Sequence, residues 1–238
     1  MKPLSGVLAD SLPNFVDLRT GRHVFPLVIR GRFHNMERVP FDSRPALISA
    51  LQSMTAAAFI EEHMFDRVPF IFNQDRGRYV VWKRILAAKL EVDPASLLIV
   101  GSASIGRSLN PAKNLKPFDP QSDIDIAVVS QYHFTVAWRY MRANPTRRLS
   151  VDVRTRNAWD ECVRRYIFWG TIPTDKLLGV LPFAEPWQAA RRAMGAVAPS
   201  VDRSVNLRVY SDYEALRAYQ IQSIQKLRED VVLLEPNA

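Results

Sequence analysis

Two aspartates inside an apolar segment constrain this chain more than any other feature of its sequence. The segment reads "SDIDIAVVS" from Ser122 onward, so Asp123 and Asp125 alternate with isoleucine. Its β-branched residues favour a strand, and residues two apart on a strand project from the same face. Two carboxylates on one face repel each other unless a cation neutralises them. The pattern therefore predicts a buried strand that presents a divalent-metal site.

A second short strand is predicted just before a glycine–serine turn. The segment "SLLIVGS" is apolar and ends at Gly101 and Ser102. A short apolar run bounded by a turn signal indicates a buried strand, so we expect the two strands to be neighbours in one sheet. The loop between them, "SLNPAKNLKPFDP", carries prolines and lysines, and it is either an active-site flap or an inert insertion.

Together these residues resemble the signature of the DNA polymerase β-like nucleotidyltransferase superfamily. "GSASIG" followed by "SDIDIAVV" has the Gly-Ser turn, the serine before the first aspartate and the apolar residues around both acids. The resemblance covers mainly residues 97–130. It implies an α/β fold in which helices flank a small mixed sheet. It also implies transfer of a nucleoside monophosphate from an NTP or dNTP to a hydroxyl acceptor.

The implied chemistry uses two Mg²⁺ or Mn²⁺ ions. Two ions about 4 Å apart stabilise the attacking and leaving oxygens, and two aspartates on one face are suitable bridging ligands. The turn at Gly101 and Ser102 would let backbone amides approach the β- and γ-phosphates. The resemblance suggests further nucleotide contacts at Ser104, Arg107, Lys113 and Ser122. For the two basic residues, an ordinary solvated loop is an equal alternative.

A third carboxylate normally completes such a site from a later strand. Asp152 in "LSVDVRT" is the best candidate, because it lies between two valines in a segment that alternates like a strand. The alternative for Asp152 is a helix cap or a surface position. The segment "VNLRVY", with Val205, Leu207 and Val209 on one face, is the other candidate for the equivalent strand, and it contains no acid.

Helical patterns occupy much of the remaining chain. Ser43 and Pro45 start a predicted helix, and Trp82, Leu86 and Leu90 mark the buried stripe of a second, so that helices cover residues 45–92. Ser211 and Glu214 form a capping box that predicts a helix over 211–230. Residues 170–187, broken by prolines, are predicted to be a loop with one short helical turn. Four aromatic residues, Trp159, Tyr166, Phe168 and Trp169, are spaced as a buried helix face.

The domain organisation follows from these patterns. Residues 1–44 are rich in Pro, Gly and Arg and predict an irregular arm with one edge strand in "HVFPLVIRGRF", and residues 45–238 form the nucleotidyltransferase domain with helical elaborations. The chain has one cysteine, which indicates a reducing compartment. Neither a secretory leader nor a run of about 18 apolar residues is evident, so we expect a cytoplasmic protein without a membrane span. The sequence does not predict an oligomeric state.

The charge balance bears on the acceptor. Lys and Arg outnumber Asp and Glu by 32 to 24, which gives a net charge of +8 and a sequence pI near 9.9. A basic surface favours a nucleotide or nucleic-acid acceptor. Three kinds of enzyme fit: one that makes an oligonucleotide or cyclic-nucleotide signal in antiphage defence, one that modifies RNA ends, and one that adenylylates a small molecule or protein. The alternative is a weakened module of the same fold that binds nucleotide or nucleic acid.

Overall fold

The computed structural model describes residues 15–16, 23–24 and 41–234. The chain divides into two compact units, Met1–Arg38 and Val39–Ala238. In the first unit, β1 (Phe15–Val16) pairs antiparallel with β2 (His23–Val24). The rest of the predicted arm up to residue 40, including the remainder of its expected edge strand, lies outside the described residues, as does the C-terminus from residue 235.

The second unit is built on a four-stranded mixed sheet. Its strands are β3 (Leu97–Val100), β4 (Ile124–Val129), β5 (Thr171–Ile172) and β6 (Val205–Tyr210). They lie in the order β3-β4-β6-β5. The β4–β6 pair is parallel, and the other two pairs are antiparallel. The predicted adjacency of the first two strands is confirmed, and so is the α/β class with a small mixed sheet.

Nine α-helices occur in the described part of this unit. They are α1 (Arg44–Ser53), α2 (Ala56–Ile60), α3 (Arg76–Leu90), α4 (Ser102–Ile105), α5 (Gln131–Ala143), α6 (Val153–Glu161), α7 (Thr174–Leu177), α8 (Ala184–Met194) and α9 (Tyr213–Leu234). Single π-helical turns continue α2 over Glu61–Phe65 and α6 over Cys162–Tyr166. Short 3₁₀ turns occur at Phe70–Phe72, Pro94–Ser96, Pro111–Lys113, Pro145–Ser150 and Leu178–Val180. None of the helices in residues 41–234 has the length and apolarity needed to cross a membrane.

Local capping chemistry decides where the first helices begin. The Ser43 hydroxyl accepts a hydrogen bond from the Ala46 amide, and Pro45 occupies the first turn of α1, as predicted. The expected continuous helix is interrupted at Met54, whose backbone is extended. Thr55 then caps α2 by accepting from the Ala58 amide. A second capping residue inside an apolar pattern therefore divides one predicted helix into two.

Helices cover both faces of the sheet. On one face, Ile124, Ile126 and Val128 of β4 join Leu207 and Val209 of β6 in a core that also includes residues of α3, α5 and α8. On the opposite face a smaller cluster joins the sheet to α9 and to the turn after α2, through Ala127, Val129, Tyr210, Leu216 and Met64. The predicted burial of Trp82, Leu86 and Leu90 is confirmed.

The predicted strand over "RLSVDVRT" is wrong. Pro145–Ser150 forms a 3₁₀ turn, and α6 begins at Val153. The apparent alternation has no buried face, because the Val153 side chain is 65% exposed and Val151 is only half-buried. Alternating β-branched residues form a strand when one face can be buried, and here capping chemistry prevails instead.

Two further predictions need correction. The stretch 170–187, predicted to be a loop with one helical turn, contains β5, α7 and the start of α8, because its prolines fall at or near helix N-termini, where proline is tolerated. The cap of α9 is Asp212, one residue after the predicted Ser211. The Asp212 carboxylate accepts a hydrogen bond from the Ala215 amide, and the Ser211 hydroxyl donates to the same carboxylate group.

Candidate functional site

The start of β4 carries the two aspartates that the sequence singled out. Ile124 and Ile126 are each 1% exposed in the core, whereas Asp125 between them is exposed on the other face of the sheet. Asp123 immediately precedes the strand and is also exposed. Apolar packing of the isoleucines therefore forces the intervening carboxylate outward.

The glycine–serine turn lies directly beside this strand. Val100, the last residue of β3, is in register with Asp125, so Gly101 follows at the level of the aspartates. Gly101 has φ +65° and ψ −148°, a region that essentially only glycine occupies. A Cβ on Gly101 would lie 3.3 Å from Asp125 Oδ2. Glycine is thus required both by the backbone turn and by the closeness of the carboxylate.

An asparagine on the neighbouring strand faces Asp125. In the parallel β4–β6 ladder, Asn206 is the register partner of Asp125. The Asn206 amide nitrogen donates to Asp125 Oδ1 at 3.3 Å, and its Oδ1 accepts from Arg191 Nη2 at 3.2 Å. Arg191 also donates from Nε to the Val205 carbonyl at 2.5 Å. Asp125 is therefore oriented through a chain of hydrogen bonds that begins on α8.

Arg208 lies two residues farther along the same face of β6. Its Nη1 donates to the Tyr219 hydroxyl at 2.6 Å, and its Nη2 donates to Asp175 Oδ1 at 3.2 Å. The guanidinium also lies over two aromatic rings, with its Cζ 5.5 Å from the Tyr166 centroid and 5.3 Å from that of Tyr219. Its charge is consequently fixed in place by a carboxylate, a hydroxyl and two aromatic faces.

These groups line one cleft of about 280 Å³. Gly101 and Leu109 contribute from the loop side, Asp125, Asn206 and Arg208 from the sheet, Asp175 from α7, and Tyr219, Gln220 and Ser223 from α9. Removal of water by the cleft walls raises the pKa of Asp125, and the charges of Asp123 and Asp175 raise it further. The hydrogen bond from Asn206 and the charge of Arg208 act in the opposite direction. The cleft thus holds negative charge that a cation would stabilise.

Asp125 lines the cleft and Asp123 stands two residues before it, so the two carboxylates could together hold one divalent ion. Mg²⁺ typically binds through one or two protein carboxylates and completes its shell with phosphate oxygens and water. A second ion would need a further acid, but the position beside Asp125 on β6 holds Asn206, and the next on that face holds Arg208. Within residues 41–234, no group of three His, Cys, Asp or Glu side chains is arranged to hold a metal ion. The described residues therefore provide ligands for one of the two predicted metal ions but not for the second.

The structure places Asp152 at the N-terminus of α6 and not on the sheet. Its carboxylate accepts from the Thr155 amide at 3.0 Å and from the Thr155 hydroxyl at 2.6 Å. These two bonds lower its pKa. Asp152 is exposed and acts as a helix cap, which is the alternative that the sequence left open.

Arg107 is engaged in holding the loop that follows Gly101. The buried guanidinium donates to the carbonyls of Phe41, Asp42 and Leu115 at 3.1, 3.2 and 2.9 Å. The Ser108 amide and the Lys116 carbonyl close the same loop at 2.9 Å. This segment is therefore an internally bonded structure, and Arg107 is committed to backbone groups within it.

The other predicted nucleotide contacts lie in three different settings. Ser104 is fully buried, and its hydroxyl donates to the Met64 carbonyl at 3.3 Å. Ser122 donates to Asp119 Oδ1 at 2.8 Å within the turn that leads to Asp123. Lys113 is exposed in a 3₁₀ turn, and Ser102, partly exposed, begins α4. Of these four, Ser102 directly follows Gly101 and Ser122 directly precedes Asp123.

Asn206, Arg208 and Asp175 are among the cleft residues that the sequence reasoning does not predict. Asn206 and Arg208 alternate with the apolar residues of "VNLRVY", and that alternation is a usable signal that both face away from the core. Nothing local identifies Asp175, because its approach to Arg208 depends on the packing of α7 beside β6.

Comparison with protein-family models, with curated proteins and with solved structures found no match to this chain.

Proposed function

We propose that this cleft binds a nucleoside triphosphate with a divalent ion and transfers its nucleoside monophosphate to a hydroxyl acceptor. The observation that carries the proposal is the contact between turn and strand, where a Cβ on Gly101 would approach Asp125 Oδ2 to 3.3 Å. A glycine turn that can admit phosphate, set against two carboxylates that can hold Mg²⁺, is the combination that nucleotidyl transfer needs.

Each side chain has a distinct part in this proposal. Asp123 and Asp125 would hold the ion, which when bound supplies charge stabilisation at the transferred phosphate. The backbone at Gly101 and Ser102 binds phosphate oxygens that a larger residue would exclude. Asn206 fixes the orientation of Asp125 through its amide, and Arg208, already paired with Asp175, limits how much negative charge the cleft carries.

The acceptor we favour is a nucleotide or nucleic acid, because the chain has a net charge of +8. Synthesis of a nucleotide signal in antiphage defence, modification of RNA ends and adenylylation of another molecule all use a hydroxyl nucleophile at the same phosphorus. All three are therefore forms of the one reaction proposed for this cleft.

A second function is favoured by one specific observation. Asn206 stands beside Asp125 where a third carboxylate would complete a two-ion site. A cleft with two acids can retain nucleotide with one ion and yet turn over slowly or not at all. We therefore keep nucleotide binding without efficient transfer as the alternative.

One experiment separates the two functions. The full chain is incubated with each labelled nucleoside triphosphate and Mg²⁺ or Mn²⁺, and pyrophosphate release, products and nucleotide affinity are measured. Transfer predicts pyrophosphate and a labelled product, both lost in Asp125→Ala and kept in Asp152→Ala, a matched loss of an exposed aspartate. Binding without pyrophosphate supports the second function. If no nucleoside triphosphate binds to the chain or raises its melting temperature in the presence of Mg²⁺ or Mn²⁺, both proposals are wrong.

A further inference from the structure

A second concave surface lies between α5 and α6 and shares no lining residue with the cleft that holds Asp125. It encloses about 680 Å³. Its apolar lining includes Met141 and Trp159, each 2% exposed, together with the half-buried Trp138 and the exposed Val163. We call this surface the α5–α6 groove.

Arginine dominates the polar rim of the α5–α6 groove. Arg142, Arg148 and Arg164 line it, together with a single acid, Asp160. Arg148 is paired with Asp160 at 3.1 Å. Arg142 and Arg164 are exposed, and Arg164 Nε donates to the Asp160 carbonyl at 3.3 Å. The surrounding segment, residues 139–165, contains eight arginines, three acidic residues and no lysine. This part of the chain therefore contributes much of the positive charge of the whole protein.

The guanidinium of Arg142 is oriented by the neighbouring Trp138 ring. Its Cζ lies 4.4 Å from the centroid of the Trp138 ring, so the guanidinium is positioned by a cation–π contact. A planar guanidinium that is already oriented can bind phosphate in a bidentate manner at a smaller entropic cost than a free lysine. The Trp138 indole has Arg142 over one face and would offer its other face to a base.

We propose that the α5–α6 groove binds single-stranded nucleic acid. Arginines along the rim would contact successive phosphates, and Trp138 would stack against a base in the apolar interior. An acidic peptide would satisfy the arginines but leaves the aromatic lining without a planar partner. A bilayer would need a protruding apolar surface, whereas this one is concave.

The test measures binding of a labelled single-stranded RNA of about 12 nucleotides to the full chain by fluorescence anisotropy. The variant Arg142→Gln with Arg164→Gln removes two rim charges. The control, Arg78→Gln with Arg84→Gln, removes two exposed charges from α3. We expect the rim variant to weaken binding at least tenfold, and its salt dependence to become shallower by about 1.4, because each single-strand phosphate contact contributes about 0.7. Equal weakening by the control pair would overturn the proposal.

Trp138 supplies an independent readout. Trp138→Ala should lose affinity by about fivefold to a hundredfold if a base stacks on it, and Trp138→Phe should retain most of it. Melting curves show that each variant is folded, and the smaller aromatic keeps the test valid if the alanine variant is not. Three outcomes would refute the assignment. They are displacement of the labelled RNA by polyglutamate as efficiently as by unlabelled RNA, equal affinity for duplex RNA, and absence of binding by the native chain. Because no nucleotide substrate is present, the result does not depend on the proposed transfer reaction.

Discussion

The two faces of the β4–β6 pair differ sharply although they are built from the same two strands. On one face Ile124, Ile126 and Leu207 are each 1% exposed and lie in the main core. On the other face Asp125 bonds to Asn206, and Arg208 is next to Ala127 in the ladder. Because side chains alternate along a strand, one face lies wholly in the main core, whereas the other carries the cleft residues Asp125, Asn206 and Arg208 before it continues into the smaller apolar cluster.

This difference indicates how the cleft can keep its charge. The hydrogen-bonded ladder and the apolar face fix the backbone, so the polar side chains need not contribute to folding. Their mutual repulsion and desolvation are tolerated because the opposite face supplies the packing energy. Substitutions on the two faces should therefore separate activity from stability.

The largest effect is expected from the aspartates. Asp123→Ala and Asp125→Ala should each reduce turnover by about a thousandfold or more, because several kcal/mol of charge stabilisation at the phosphate depend on the ion that they hold. The melting temperature should not fall, since removing one acid relieves repulsion. Turnover and thermal denaturation are measured on the same preparations. Near-native activity in either variant would remove the metal site from the proposal.

The apolar face should show the reverse pattern. Ile124→Ala removes a fully buried side chain that does not line the cleft, and it should cost about 2–5 kcal/mol of unfolding free energy. Below the unfolding transition, the nucleotide affinity of the remaining folded protein should be unchanged. Urea denaturation gives the first quantity and a titration at low temperature gives the second. A cost under about 1 kcal/mol would contradict the packing assigned to this face.

Asn206 lies between these extremes, and its replacement sharpens the comparison. Asn206→Asp adds a carboxylate beside Asp125 without a change in shape, so divalent-ion affinity should rise by about tenfold while stability without metal falls. Asn206→Leu is the control that removes the amide but adds no charge. Calorimetric titration with Mn²⁺ measures the affinity. A gain in turnover as well would indicate that the native site is a weakened two-ion site, and an unchanged affinity would show that the amide position does not face the ion.

The smallest effect concerns pH. The folded protein raises the pKa of Asp125, so the protonated form is favoured by folding and the charged form is disfavoured. The stability that the protonated form confers is complete below the ordinary carboxyl pKa of about 4 and is lost as pH rises through the folded pKa. Asp125→Asn should thus melt higher than the native chain at pH 7, by at most about 2–4 °C, and the difference should vanish near pH 4. Mg²⁺ should reduce this difference in melting temperature at pH 7. A difference that grows as the pH falls would contradict a raised pKa for Asp125.

The parts of the site that are local can be predicted from the sequence. An apolar run that ends in Gly-Ser, together with an acid between two isoleucines, predicts two neighbouring strands and an Asp125 side chain that projects away from the isoleucines. The closeness of Gly101 to Asp125 then follows from the register of the two strands in the structure. The same reasoning fails for Asp152, although "VDV" and "IDI" look alike. Burial of the flanking residues distinguishes the two segments, and burial is set by distant parts of the chain.

Long-range partners account for the remaining misses. Asn206 reaches Asp125 only because β4 pairs with β6. Arg107 donates hydrogen bonds to the carbonyls of Phe41 and Asp42, which are far away along the chain. Neither pairing has a signal in neighbouring residues. The aromatic spacing likewise predicts burial for Trp159, which is confirmed, and for Phe168, which is exposed because the helix pattern ends just before it.

Gly101 has a consequence for how this chain tolerates mutation. Consider a library that samples every amino acid at each position. Selection for folding alone would retain Ile126 and allow changes at Asp125, whereas selection for activity would retain both residues. Gly101 would be retained under either regime, because its positive-φ backbone is a folding requirement and its missing side chain leaves room beside the Asp125 carboxylate. At this end of the sheet, the position that tolerates the fewest substitutions is therefore Gly101, the residue without a side chain.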